Sequence, residues 1–430
     1  MNRCVALLFA CLVCISCERQ ETVPRSTAPT SEAVPPASAP KPDIDRARQL
    51  AKELLIVDGH VDLPYRLHKS RDAQTKQLTE DPTVRTPKGD FDYERAMEGG
   101  LDAPFMSIYI PAEHQTKGGA KALADELIDM VDALIARAPD KFARGHDIAD
   151  VRRAYREKKI ALPMGIENGA ALEGKLENVT HFHRRGIRYI TLTHSKDNDI
   201  CDSSYDKART HHGLSAFGRD VVKEMNRVGI MVDVSHISDD SFEQVIELST
   251  VPVIASHSSC RHFTPGFERN MSDAMIKKLA ARGGVIMINF GSSFLDDVVR
   301  AAHDKMQEAK KTFMEESKLE NDDPKVTDFV ARYRKEHNVP LSTVERVADH
   351  IDHVVKLVGV EHVGFGSDFD GVGESLPTGL RDASDLPNLL LVLLERGYSE
   401  KDLEKICSGN VLRVWDAVEK QAQKAKLASP

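Results

Sequence analysis

Short apolar runs alternate with amphipathic stretches along most of this chain. The runs are LLIVDGHVDLP at 54–64, APFMSIYIP at 103–111, ALPMGIENG at 161–169, IRYITLTHS at 187–195, IMVDVSHIS at 230–238, VPVIASHSS at 251–259, GVIMINFG at 284–291 and HVGFGSDFD at 362–370. Most are close to continuously apolar, the pattern of parallel strands buried on both faces. Between them lie helical patterns at 122–138, 217–229 and 273–283, the last two stopping at Gly229 and Gly283. Repeated strand–helix alternation predicts an α/β fold with a parallel sheet. Eight units suggest a closed (β/α)8 TIM-like barrel, and a doubly wound open sheet fits the alternation almost as well.

The rhythm breaks in three places. Residues 292–345 form a long charged insertion after the seventh strand, which reads as two or three helices with solvated faces. Such an insertion is either a surface excursion or a cap, since loops after barrel strands ring the active end. Residues 17–43 are rich in Pro, Ser, Thr and Ala without hydrophobic periodicity, which predicts a disordered linker. The folded body is expected over 44–420, opening with Asp43 as a helix N-cap and closing with a helix after Asn410, and 421–430 is expected to be a charged tail.

Residues 1–16 combine Arg3 with an apolar run from Val5 to Ile15, too short to span a bilayer, and therefore read as a signal peptide. The run ends at Ser16-Cys17. A small residue before a Cys resembles a bacterial lipoprotein signal, in which Cys17 becomes the lipidated N-terminus, although Cys14 stands where such signals carry an aliphatic residue. An ordinary cleaved signal also fits; the tether-like linker favours lipidation. The expectation is an exported protein, anchored at the bacterial cell envelope and facing the periplasm, with its lipid as the sole membrane contact.

Composition adds little beyond this. The 430 residues are 41% hydrophobic and carry a net charge of -9 without a basic stripe, which argues against a nucleic-acid partner. Of seven cysteines, four lie in the N-terminal segment, leaving Cys201, Cys260 and Cys407; three widely spaced cysteines make no disulfide framework and read as inert buried thiols.

Polar residues cluster at the C-terminal ends of the predicted strands: His60 and Asp62 on the first, Glu167 on the third, His194 on the fourth, His236 on the fifth, His257 on the sixth and Asp368 on the eighth. In a parallel barrel those ends converge on one mouth. Buried there, ionisable groups are costly unless paired or metal-bound. His60 and Asp62, two apart on a strand, point to the same side and can reach one ion. His236 and His257 occupy matching positions on neighbouring strands, each after a Ser. With Glu167 as a bridge, the five residues give three ligands to each of two ions. A nitrogen and oxygen set without Cys suits a catalytic zinc pair.

The spaced set Asp58-Gly59-His60-Val61-Asp62-Leu63-Pro64, Gly165-Ile166-Glu167-Asn168-Gly169, Leu192-Thr193-His194-Ser195, GLSAFGRDVVKEMNRVGIMVDVSHIS at 213–238, ASHSS at 255–259, Arg269-Asn270 and VGFGSDFDG at 363–371 resembles the membrane (renal-type) dipeptidases of the amidohydrolase superfamily, over about residues 45–415. The resemblance favours the barrel over the open sheet. It implies two Zn2+ per chain, His60 and Asp62 binding one, His236 and His257 the other, with Glu167 and a water or hydroxide bridging them. It further implies that His194 hydrogen-bonds the substrate carbonyl, Arg269 holds the substrate's terminal carboxylate and Asp368 moves protons between water and leaving amine. The implied activity is hydrolysis of dipeptides by the bridging hydroxide. Members commonly accept a C-terminal D-residue and often form homodimers. The insertion and the linker lie outside the family's core pattern, and the disulfides of its eukaryotic members are not reproduced here.

Two other readings fit parts of the pattern. A related dizinc enzyme could act on another amide or a lactone, and a lipid-anchored binding protein could capture dipeptides or metal without turnover. A pure binder needs no proton shuttle, so Asp368 argues against the second. Replacing Cys17 with Ser is expected to release the protein from membranes into the soluble fraction; persistence in the membrane pellet would remove the lipoprotein reading.

Overall fold

All eight apolar runs supply strands to one closed, parallel barrel: β1 Ile56–Val61, β2 Leu101–Tyr109, β3 Met164–Glu167, β4 Ile187–Thr191, β5 Met231–Asp233, β6 Ile254–Ala255, β7 Val285–Ile288 and β8 Val363–Phe365. Each pairs with its neighbour in the chain, and β8 closes on β1 through Phe365 opposite Asp58. The computed structural model describes residues 42–72, 74–75, 77–320 and 323–428; the signal segment, Cys17 and all but the last two residues of the expected linker lie outside the described residues. Among the described residues no helix is long and apolar enough to cross a membrane.

Side-chain alternation sorts the core into two layers. Val57, Phe105, Tyr189, Met231, Val285 and Met287 belong to one cluster, while Ile56, Met106, Ile190, Val232, Ile286 and Ile288 belong to another, shared with the surrounding helices. Every strand residue named here is at most 1% exposed, and full burial of such a side chain contributes roughly 1.5–3 kcal/mol. The inner layer depends on Gly165 in β3. A Cβ there would come within 2.1 Å of the Tyr189 ring, so only glycine lets that tyrosine fill the barrel. At the end where the strands begin, Trp415 packs against Phe105 with ring centroids 5.3 Å apart. The helix Asn410–Ala428 therefore covers that end, and it continues through positions expected to be a charged tail.

Most strands are shorter than their apolar runs because the last residues of the run leave the ladder as loops. The run at 161–169 also divides. Ile160–Leu162 pairs with Phe142–Arg144 in a separate two-stranded ribbon, and Pro163, which has no amide hydrogen, separates it from β3.

The insertion after β7 consists of the helices Ser292–Leu295, Asp297–Ser317 and Pro324–Glu336. Asp296 caps the second by accepting from Val298 N at 2.9 Å, and Asp323 precedes Pro324 at the first turn of the third. The rings of Phe313 and Phe329 stack at 4.4 Å and pair the two long helices. Cys201, Cys260 and Cys407 are buried and free, each thiol pushed up by its burial.

Candidate active site

Seven of the eight polar residues singled out in the body converge at the C-terminal mouth of the barrel. His60 lies in β1 and Asp62 one residue beyond it, Glu167 ends β3, and His194, His236, His257 and Asp368 sit two or three residues past β4, β5, β6 and β8. His236 and Asp368 adopt positive φ, 69° and 63°. That region costs a non-glycine residue about 1–3 kcal/mol, and the packed surroundings hold both side chains over the mouth.

Glu167 organises the cluster. Its Oε2 lies 3.5 Å from His60 Nε2, while its Oε1 lies 3.0 Å from His236 Nε2, 3.3 Å from His257 Nε2 and 3.6 Å from His194 Nε2. The two oxygens thus face different histidines, as a bridging ligand requires. His60 Nε2 is also 3.4 Å from Asp62 Oδ2. Groups close enough to hold a cation are His60 with Glu167 and His257, Glu167 with His194 and His236, and His60 with Asp62 and Asp368.

Neighbouring residues fix which ring nitrogen is free. Ser256 Oγ donates its one proton to Asp233 Oδ2 at 2.7 Å and so accepts from His257 Nδ1 at 2.8 Å, which leaves His257 Nε2 without a proton, facing His236 Nε2 at 2.8 Å. His60 Nδ1 is taken by the Tyr189 hydroxyl at 2.9 Å, and His60 Nε2 is buried without a hydrogen-bond partner. Burial, then Arg269 and His60 or His194, hold His257 and His236 well below the usual imidazole range, so both are neutral, as a ligand nitrogen must be. The donor set therefore fits a pair of divalent cations.

Comparison with a second buried carboxylate reinforces this. Asp233 accepts from Ser235 N, Ser256 N, Thr191 Oγ1 and Ser256 Oγ. Bonds to a charged group contribute about 1.5–3 kcal/mol each, enough to offset a burial cost of several kcal/mol. Glu167 has no such set of amides and hydroxyls; beyond Ser107 Oγ, at 3.5 Å, its neighbours are imidazoles. Its compensation comes from those imidazoles and from positive charge near them. Burial opposes ionisation of Glu167, yet His60 and His194 hold it well below the usual carboxylate range. Burial would lower His60, but Tyr189, Asp62 and Glu167 hold it well above its usual range.

Asp368 Oδ2 accepts from Asn289 Nδ2 at 2.7 Å, and Asp368 N bonds His60 O at 3.1 Å. Burial lifts its carboxyl to about 7. Asp370, two residues on, is engaged instead by Arg66 at 2.6 Å. His194 Nδ1 is buried without a partner, and its ring lies 4.3 Å from that of His236 and edge-on to Tyr109 at 4.9 Å. Arg269 is 3% exposed: Nη1 donates to Ser258 Oγ at 2.7 Å, Nη2 to His257 O at 2.8 Å, and Nε has no partner. Glu268, a candidate ion-pair partner for Arg269, is engaged by Arg209 and by Asp239 N at 2.9 Å.

A cavity of about 730 Å³ opens above the cluster, lined by Asp62, Glu167, His194, His236 and Asp368 and walled by Tyr65, Tyr109 and Tyr205. Sequence reasoning passed over Asp58, Tyr189, Asp233, Ser256 and Asn289, which hold the residues of the mouth from behind. Asp58 accepts from His60 N at 2.9 Å and Ser367 N at 3.0 Å, tying β1 to β8, and burial lifts it to about 6. The available signal was position: Asp58 and Asp233 precede His60 and His236 by two and three residues.

The family model for membrane dipeptidases (peptidase family M19) matches residues 44–429. The chain is 33% identical to the dipeptidase verJ of Clonostachys rogersoniana over 393 residues, 89% of each chain. It is 33% identical to the dipeptidase tcpJ of Claviceps purpurea (strain 20.1) over 376 residues, 86% of this chain and 78% of that one. The crystal structure of the probable dipeptidase PvdM from Pseudomonas aeruginosa superposes with a TM-score of 0.76 at 26% identity, covering 88% of this chain and 99% of PvdM.

A Cβ on Gly371 would lie 2.2 Å from both Asp62 Oδ2 and Asp368 Oδ1. Gly371→Ala is therefore expected to displace both carboxylates and weaken metal binding by about tenfold to a hundredfold, with the circular dichroism of the barrel retained. Metal titration with an unchanged binding isotherm would show that the mouth accommodates a methyl group.

Proposed function

Because this chain belongs to the membrane dipeptidase family, we propose that it hydrolyses the peptide bond of dipeptides with two Zn2+, one held by His60 and Asp62, the other by His236 and His257, and both by Glu167. The observation that carries this reading is the division of the Glu167 oxygens between His60 on one side and His236 and His257 on the other. When bound, the zinc pair supplies the acidity that turns water into a nucleophile near neutral pH and the charge that offsets an oxyanion.

The remaining steps fall to the chain's own side chains. His194, on the cavity wall beside Glu167, donates to the carbonyl oxygen, and one such donor lowers a barrier by about 3 kcal/mol. Asp368, fixed at one oxygen by Asn289, takes the proton of the attacking water at the other and returns it to the leaving nitrogen. Arg269 offers its unpartnered Nε to the substrate's terminal carboxylate from beneath the His257 loop. A longer peptide would set a neutral amide where that charge belongs, which restricts the substrate to short peptides. Following the family habit, the reading includes substrates with a C-terminal D-residue and a homodimeric assembly. Lipidation at Cys17, with residence at the cell envelope facing the periplasm, belongs to the same proposal.

Exhaustive chelation is expected to abolish cleavage of a simple dipeptide, and Zn2+ to restore it at two ions per chain; full activity in metal-free protein would exclude the mechanism. Asp368→Asn is expected to lower turnover about a hundredfold or more with both ions retained. A variant with native turnover would take the proton-transfer role away from Asp368.

A further inference from the structure

The insertion reaches the cavity. Arg300, His303, Asp304 and Gln307, all on the helix Asp297–Ser317, line it, together with Ser293 and Phe294 at the start of the same insertion. The spacing of the four, i, i+3, i+4 and i+7, puts them on one helix face. The segment is thus a wall of the site and not a surface excursion.

Two reciprocal stacks fasten this wall to the loop after β6. Arg269 of that loop lies over Phe294 of the insertion at 5.5 Å, and Arg300 of the insertion lies over Phe267 of the loop at 3.5 Å. Arg300 is further oriented by its Nε, which donates to the Asp304 carboxylate at 2.9 Å, and by the Tyr205 hydroxyl nearby. Its guanidinium is held on one face by a ring and at one nitrogen by a carboxylate, while the side chain stays 24% exposed on the cavity wall. Beside it, Gln307 Nε2 donates to His303 Nε2 at 3.0 Å, which leaves His303 Nδ1 as a donor, buried without a partner. Burial and Arg300 push this imidazole down to about 4, so it is neutral.

The site therefore carries two guanidinium groups at different depths: Arg269 against the ligand His257, and Arg300 on the outer wall. A carboxylate next to the scissile bond belongs with the deeper one. We propose that Arg300, assisted by His303, forms a subsite for a second carboxylate, the acidic side chain of a dipeptide ending in Glu or Asp. This rests on the dipeptidase reading and adds the substrate class to it. An acidic side chain would form charge-assisted bonds to the Nη edge of Arg300, contacts of the kind that discriminate by about tenfold or more over a neutral isostere.

The test compares Ala-Glu with Ala-Gln, which differ by a carboxylate against an amide, on the zinc-loaded full chain. The unmodified protein is expected to favour Ala-Glu by about tenfold in kcat/KM, expressed in KM. Arg300→Gln should bring the ratio to about one, and Arg300→Glu should shift preference toward Ala-Lys. An unmodified ratio near one, or a ratio that survives Arg300→Gln because both substrates lose equally, overturns the subsite while leaving the dipeptidase reading intact. Failure of the zinc-loaded protein to cleave any dipeptide overturns both.

Discussion

A carboxylate buried at the mouth of a barrel without enough neutral donors must be compensated by positive charge, and Glu167 is in that position. Asp58 and Asp233 are buried just as deeply, but backbone amides and hydroxyls satisfy them. Glu167, Asp62 and Asp368 instead face one another and a ring of histidines. Every other feature of the site follows from that imbalance. The histidine nitrogens must be bare to accept a cation, the backbone must hold His236 and Asp368 in a costly conformation, and Gly371 must lack a side chain so that two carboxylates can approach.

The barrel interior takes part in this arrangement. Tyr189 fills space that Gly165 leaves open and ends with its hydroxyl on His60. Asp233, anchored to the loop after β5, orders Ser256, which in turn orders His257. Packing in the inner layer is thereby converted into the tautomer and aim of ligands several ångströms above it. This explains why ligand geometry can be held by side chains that never meet a substrate.

The ligands were legible because a parallel barrel imposes one rule, that strand C-termini share a mouth, and the apolar runs mark those termini well. His60, Asp62, Glu167, His194, His236, His257 and Asp368 meet for that reason. Boundaries were less legible. A run such as 230–238 stays buried past Asp233 although the ladder has ended, because loop residues at the mouth are covered by their neighbours and not by the sheet. The supporting residues were hidden in another way: Tyr189 and Asn289 read as ordinary strand positions, and only partners distant in the chain give them a role. Arg300 was the least legible, since on a charged amphipathic helix one face lining a cavity looks like any solvated face.

The closure of the barrel sets an order of events. His60 stands in the first strand and Asp368 just past the last, and they are joined by a backbone bond that exists only once β8 has docked on β1. A chain lacking the eighth strand would retain the histidines and carboxylates of strands one to six but would have nothing to hold Asp368 over them. Completion of the mouth is consequently a late event, coupled to closure of the barrel, because its last carboxylate arrives with the last strand.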